Sequence, residues 1–363
     1  MKLLQRKTLL VLLFLSTVFV GASFAVTEDI PLETMIGQMI MVGFVGAEVK
    51  DPSFNEVIDY IEGDKIGGLV FYERNISDNA VLKKFIAEIK ALKKKQSLFL
   101  AIDQEGGKVS RLRELRGYKT FPSAKYVANN LSVTQAYDLY SDMAKELYDL
   151  GFNLNFGPVI DLDINPKSPA IGFHERSYSR TPDVVVIYAG QFMLAHKNNK
   201  VLTTLKHYPG HGSASADSHL GFTDVSGSWD QAETIPYSSL IQEGKVDLIM
   251  SAHIFNEKVD VEFPASLSKI HLQANLCQKL GYKGLIISDD LQMGALSKSY
   301  DLETIVIKAI EAGTDILLFA NYFVPGTLLP DKVIAIIKEA VRNGKITQNQ
   351  IQTSYQKIID IKQ

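Results

Sequence analysis

Only one cysteine, Cys277, occurs in the 363 residues, so the chain can form neither an intrachain disulfide nor a thiol pair for metal or redox work. It also lacks a basic block. With Lys2, Arg6 and Lys7 of the first 25 residues set aside, 35 of the 38 Lys and Arg remain against 41 Asp and Glu, a balance of −6. A mildly acidic chain is a poor nucleic-acid binder, because such binding rests on phosphate neutralisation. Neither G-x-G-x-x-G nor a Walker A pattern follows the first strand candidate, and Gly106-Gly107 lacks the spacing, so the phosphate-cradling loop of nucleotide folds is missing. There is no low-complexity linker, no short repeat and no composition shift to mark a second domain. Beyond residue 25, no stretch is apolar for long enough to span a bilayer.

What is present begins with an export pattern. Basic Lys2, Arg6 and Lys7 precede an apolar run from Leu9 to Val20 and a small-x-small site at Ser23-Phe24-Ala25. Cleavage is expected after Ala25, with periplasm or extracellular space as the destination. An uncleaved anchor over Thr8 to Ala25 is the alternative.

The remaining chain alternates β-branched runs with amphipathic segments, the pattern of parallel strands joined by crossover helices. Strand candidates are Met39–Phe44, Gly68–Tyr72, Leu98–Asp103, Asn153–Val159, Val201–Lys206, Asp247–Ala252, Gly284–Asp289 and Asp315–Ala320. Helical patterns cover Ala80–Lys94, Thr134–Leu150, Asp183–Asn198, Pro264–Leu280, Leu302–Ala312, Pro330–Asn343 and Gln348–Lys362, with glycine stops at Gly151, Gly281 and Gly313. Cys277 is expected on the core side of its helix. Polar residues gather where strands end: Asp103, Asp161, Asp163, Lys206, His207, His253, Asp289 and Asn321. Eight parallel strands with polar carboxyl ends describe a single-domain α/β fold, a (β/α)8 TIM-type barrel over residues 26–363 with its site on the top face.

Three stretches carry chemistry. Lys206-His207-Tyr208-Pro209-Gly210-His211-Gly212 with Asp217-Ser218-His219 places three of seven histidines after one strand. A helical His-x-x-x-His zinc site would put His207 and His211 on one face, but Pro209 and Gly210 lie between them and oppose a helix. Histidines satisfied by local hydrogen bonds are the plain alternative. Ile286-Ile287-Ser288-Asp289-Asp290 runs an apolar strand into two adjacent carboxylates, of which one should face the barrel axis while the other supports it or caps the next helix. Asp103-Gln104-Glu105-Gly106-Gly107, reaching Arg111, offers carboxylate and guanidinium groups to hydroxyls.

Together with Ile66-Gly67-Gly68-Leu69, Arg74-Asn75, Ile171-Gly172 and Arg176-Ser177-Tyr178, these motifs resemble the β-N-acetylhexosaminidases of glycoside hydrolase family 3, in order along nearly the whole chain. The resemblance implies Asp289 as nucleophile, His219 as acid/base paired with Asp217, and Asp103, Arg111, Arg176, Lys206 and His207 as sugar-binding positions. Lys108 stands where the family has arginine, a longer Asn165–Glu175 connection precedes Arg176, and bacterial relatives often work in the cytoplasm, unlike a chain with an export signal. Histidine suits an acid/base role because its reference pKa near 6.5 lies close to working pH. The small residues from Gly210 to Ala216 suggest a mobile loop under this pair.

The expected activity is exo-acting, retaining removal of terminal β-linked N-acetylglucosamine from peptidoglycan fragments or chitooligosaccharides, with no metal and no cofactor. A carbohydrate is the expected partner, a monomer the favoured state. A β-glucosidase, a glycosyl phosphorylase and a non-catalytic sugar-binding barrel are the alternatives.

Overall fold

Eight short parallel strands carry the chain around a ring in the computed structural model, which describes residues 30–320 and 329–363. They are β1 (Ile40–Gly43), β2 (Gly68–Phe71), β3 (Phe99–Ile102), β4 (Leu154–Asn155), β5 (Leu202–Tyr208), β6 (Leu248–Ser251), β7 (Leu285–Ser288) and β8 (Leu317–Phe319). Each pairs with its sequence neighbour, and β1 also pairs with β8 from Ile40↔Leu317 to Val42↔Phe319. A parallel bridge between Ile287 and Ile316, with Ser288 N donating to the Ile316 carbonyl at 3.0 Å, brings β7 round to β8. The sheet is thereby nearly closed into the expected (β/α)8 barrel, and every strand candidate forms. The export segment 1–25 and Asn321 lie outside the described residues.

Strands β1, β2, β3, β6, β7 and β8 are buried at every position because helices cover the outside while neighbouring strands fill the inside. Local chemistry sets the helix ends. Asp78 accepts from Val81 N at 3.0 Å to start Asn79–Ala91, and Ser132 with Gln135 closes a reciprocal capping box before Val133–Leu150. Gly151 (φ 104°) and Gly313 (φ 105°) end their helices in the left-handed region, where a Cβ would be strained.

Several elements depart from expectation. Leu32–Gln38, Asn55–Glu62, Ala124–Asn130 and Ile235–Gln242 are helices of seven or eight residues, too short for a hydrophobic period to show in the sequence. The expected helix Pro264–Leu280 is broken: a turn at Ala265–Leu267 is followed by a π-helix, Ile270–Lys279, whose wide winding carries the Leu280 N–H to the Asn275 carbonyl. Cys277 is half-buried there against the second of the two large core clusters. Two small pieces of sheet sit above the barrel: a hairpin of Gln104–Gly106 with Val109–Ser110, and a parallel pair of Thr223–Asp224 with Ile254–Phe255. They brace the loops leaving β3, β5 and β6. Among the described residues no helix is long and apolar enough to cross a membrane.

Candidate active site

Parallel strands all end on one face, so polar residues at or just beyond those ends can meet in a shared space. Asp103 follows β3 and accepts from Lys206 Nζ at 2.8 Å and from Arg111 at 3.0 Å, the latter returned to it by the hairpin. Lys206, on β5, also reaches Glu105 Oε1 at 2.6 Å. Arg176 grips Glu105 with two bonds of 2.9 and 2.8 Å and donates to the Ala170 carbonyl. Burial would raise both carboxyls, yet Lys206 and Arg111 hold Asp103 well below the carboxylate range, and Arg176 and Lys206 bring Glu105 down to about 2. His207, next on β5, donates Nδ1–H to Asp161 at 2.7 Å, which leaves its Nε2 beside Arg176 at 3.4 Å.

Asp289 stands at the end of β7, its backbone N–H on the Ser251 carbonyl. Its Oδ1 accepts the Asp290 N–H at 2.8 Å, which leaves Oδ2 for chemistry. Burial opposes ionisation, but the imidazoles of His253, His207 and His219 with that N–H outweigh it and lower the pKa. Asp290 goes the other way: burial and the charge of Asp289 push it up to about 6, against the amides of Ala320 and Gln292. Neighbouring carboxyls with opposite shifts are a mark of divided roles.

The second aspartate differs from expectation in two respects. It does not cap the next helix, Gly294–Ser297, whose cap position is Met293; its Oδ1 instead pins the Gln292 and Ala320 amides. It also borders the same cavity as Asp289, because β7 stops at Ser288 and strand alternation no longer applies.

Opposite Asp289, His219 sits on the loop after β5 with Nδ1 2.8 Å from Asp217 Oδ1, which also accepts the His219 backbone N–H at 3.0 Å. Those bonds lower the Asp217 pKa against its partial burial. With Nδ1 engaged, Nε2 is the nitrogen that can exchange a proton. The loop is only partly as mobile as its small residues suggest. His211 to Ala214 are buried, Asn165 of the longer connection donates to the Ala214 carbonyl, and Gly212 packs so closely that a Cβ would stand 1.7 Å from the Leu162 carbonyl oxygen. Solvent is met from Ser215 onward, with Ser218 the buried exception up to Phe222. β5 runs straight through His207, so no helix sets His207 and His211 on one face. Among the described residues no cluster of three His, Cys, Asp or Glu could hold a metal.

A cavity of about 130 Å³ joins these groups, bordered by Asp103, Arg111, Arg176, Lys206, His207, His219 and Asp289 with apolar Val109, Phe156, Met250 and Leu318. It offers an ionised carboxylate, an imidazole and a dense polar wall. A roomier cleft of about 630 Å³ beside the π-helix has no carboxylate on its walls, so chemistry favours the smaller space.

The profile of the glycosyl hydrolase family 3 N terminal domain matches residues 31–361. The chain belongs to glycoside hydrolase family 3. It is 29% identical to the beta-hexosaminidase A of Pseudoalteromonas piscicida over 95% of this chain and 63% of that protein. It is 33% identical to the beta-hexosaminidase of Pseudomonas aeruginosa over 71% and 76%. A solved family 3 beta-N-acetylglucosaminidase from Paenibacillus sp. superposes with a TM-score of 0.83 at 31% identity, covering 92% of this chain and 62% of that one. The chain thus spans less than two thirds of the first and third of these relatives.

Of the eight residues that the family 3 resemblance picks out, seven border the cavity and Asp217 stands behind His219. Lys108 is at the exposed hairpin tip, away from the cavity. Asp163 is held by Lys125 and Glu175 by Ser123, and neither borders the cavity. Sequence reasoning assigned no task to Asp161, which holds His207, to His253, bonded to Ser266 and to the Asp290 carbonyl, or to Glu105 as the carboxylate behind the wall. Their strand-end positions were the available signal for the first two.

Proposed function

We propose that this family 3 chain is an exo-acting, retaining β-N-acetylglucosaminidase, exported through its first 25 residues and acting on peptidoglycan fragments or chitooligosaccharides. The supporting observation is the pairing, across one cavity, of Asp289, ionised with Oδ2 unused, and His219, whose Nε2 is freed by Asp217. Asp289 Oδ2 attacks the anomeric carbon while His219 Nε2 gives its proton to the departing oxygen; the imidazole then takes a proton from water, which releases the sugar from Asp289. Asp103, Arg111, Lys206, Arg176 and His207 would bind and orient the sugar. The hexosaminidase and N-acetylglucosaminidase relatives point to the N-acetylhexosamine class.

A substrate panel tests this: aryl N-acetylglucosaminide should be cleaved far faster than aryl glucoside, with water as the acceptor. Preference for glucoside, or a demand for phosphate, would move the reading to a β-glucosidase or a phosphorylase. A slow fluorosugar should label Asp289; an adduct on Asp290 or Glu105 overturns the nucleophile.

A further inference from the structure

The loop holding Asp217 and His219 is open at its tip but seated along both edges. Ser218, between the two, is 3% exposed, and its Oγ lies 3.2 Å from His211 Nε2. His211 is buried, with its backbone N–H on Asp161 Oδ1 at 2.8 Å. Burial and the neighbouring His207 push its imidazole down to about 4, so it is neutral at working pH. Its Nδ1 is buried without a partner. An orphaned buried N–H is rarer and costlier than an unused lone pair, so the proton belongs on Nε2, donated to Ser218 Oγ.

On the other edge the loop carbonyls are taken up by the turn that follows Asp289. Ala295 N donates to the Ser218 carbonyl at 3.1 Å, Gly294 N to that of His219 at 3.2 Å, and Lys298 Nζ to that of Leu220 at 2.7 Å. Gly294 permits this approach: a Cβ there would stand 2.9 Å from the Leu220 carbonyl carbon and oxygen and 3.0 Å from the His219 oxygen. Nucleophile strand and acid/base loop are thus tied together through backbone.

We propose that His211 is a positioning residue that, through Ser218, seats the Asp217–His219 pair over the cavity against the Gly294–Ala295 amides. This rests on the reading of His219 as acid/base. His211 does not border the cavity, so its influence reaches the reaction only through the placement of His219.

The experiment measures kcat/KM over aryl N-acetylglucosaminides of graded leaving-group pKa. His211→Phe keeps a ring and removes the donor; His211→Gln retains an N–H of similar reach. His211→Phe and Ser218→Ala should each lose about tenfold on the poorest leaving groups and little on the most activated. The double variant should be no worse than either single, and His211→Gln should recover most of the loss. Gly294→Ala, acting from the opposite edge, should reproduce the leaving-group pattern. Equal loss on every leaving group, or additive single losses, overturns the proposal. His219→Ala runs alongside: if it is flat across the series the acid/base reading falls, whereas a steep His219→Ala with a flat His211→Phe sinks the seating role alone. Amide exchange supplies a readout free of turnover. Gly294 and Ala295 should exchange about tenfold faster in His211→Phe, and unchanged exchange overturns the proposal whatever the substrate.

Discussion

Across the cavity, the side chain of Lys206 is 3% exposed and that of His219 is 64% exposed. The first belongs to a wall in which Asp103, Glu105, Arg111, Arg176 and Lys206 neutralise one another from strand ends, a hairpin and the long connection after β4. The second belongs to a loop that is buried along His211–Ala214 and at Ser218 but exposed at His219 itself. Binding a sugar demands groups whose positions do not vary, and the proposed sugar-binding groups are fixed by one another's charges. The proposed proton donor has to meet water in the second half of the reaction, and it stands on an exposed loop. The wall instead drives its carboxyls down, as the lowered Asp103 and Glu105 show.

The comparison is broken most severely by removing the group that both sides serve. Asp289→Ala should lower kcat by roughly 10⁴-fold or more while the thermal midpoint stays near wild type, because the attacking oxygen is lost and no packed core is opened. Steady-state rates with a melting curve check this, and residual activity near wild type would remove Asp289 from its role.

The loop side comes next. His219→Ala should lose roughly 10²–10⁴-fold on substrates with poor leaving groups and far less on activated aryl glycosides in the first step. Asp217→Ala should follow the same pattern more weakly, since Asp217 orients the imidazole and gives no proton. Azide should restore turnover of an activated substrate by His219→Ala and yield a glycosyl azide of retained configuration. Rescue that fails, with uniform loss, would leave His219 a purely structural part of the rim.

The wall side should answer in stability as well as in rate. Lys206→Met leaves two buried carboxylates short of a cation and should destabilise by about 3 kcal/mol, the lower end expected for a broken buried pair, because Arg111 and Arg176 remain. Lys145→Met, in an exposed pair with Asp149, should change stability by less than about 0.5 kcal/mol. Urea unfolding of both variants measures the contrast; equal effects would mean that the wall is as loosely coupled as the surface.

A smaller stability effect than that of Lys206→Met lies at the root of the loop. Glu233 is fully buried and accepts the Gly212 N–H at 2.8 Å at the root of the loop. Burial pushes its carboxyl up to about 7, with Asp161 adding to the shift and bonds from Ser213 and Gly212 opposing it. Its folded pKa lies above the unfolded value, so folding takes up a proton between about pH 4.5 and 7. Stability from this group is therefore greatest below that window and falls as pH rises through it. Glu233→Gln keeps the acceptor and removes the titration, so the variant should gain on the order of 1–2 kcal/mol over wild type above pH 7 and nothing below pH 4.5. Parallel pH profiles of the thermal midpoint would show that Glu233 is already charged in the fold.

The sequence by itself determined the barrel, the eight strands and the stretches from which the site is made. It could do so because apolar runs, glycine stops and strand-end polar residues are local signals, readable within a few positions. Even the absence of a helix between His207 and His211 followed from Pro209 and Gly210. Tertiary structure alone decided who holds whom. Glu105 meets Arg176 from 71 positions away, Asp161 meets His207 from 46, and Asp290 takes the Ala320 amide from 30, partnerships that exist only after the strands have nearly closed. The seating of His219 on Gly294 is of the same kind. Chain order brings a residue to the end of its strand, but the direction of its charge, its pKa and its freedom to move are set by neighbours that arrive from other strands.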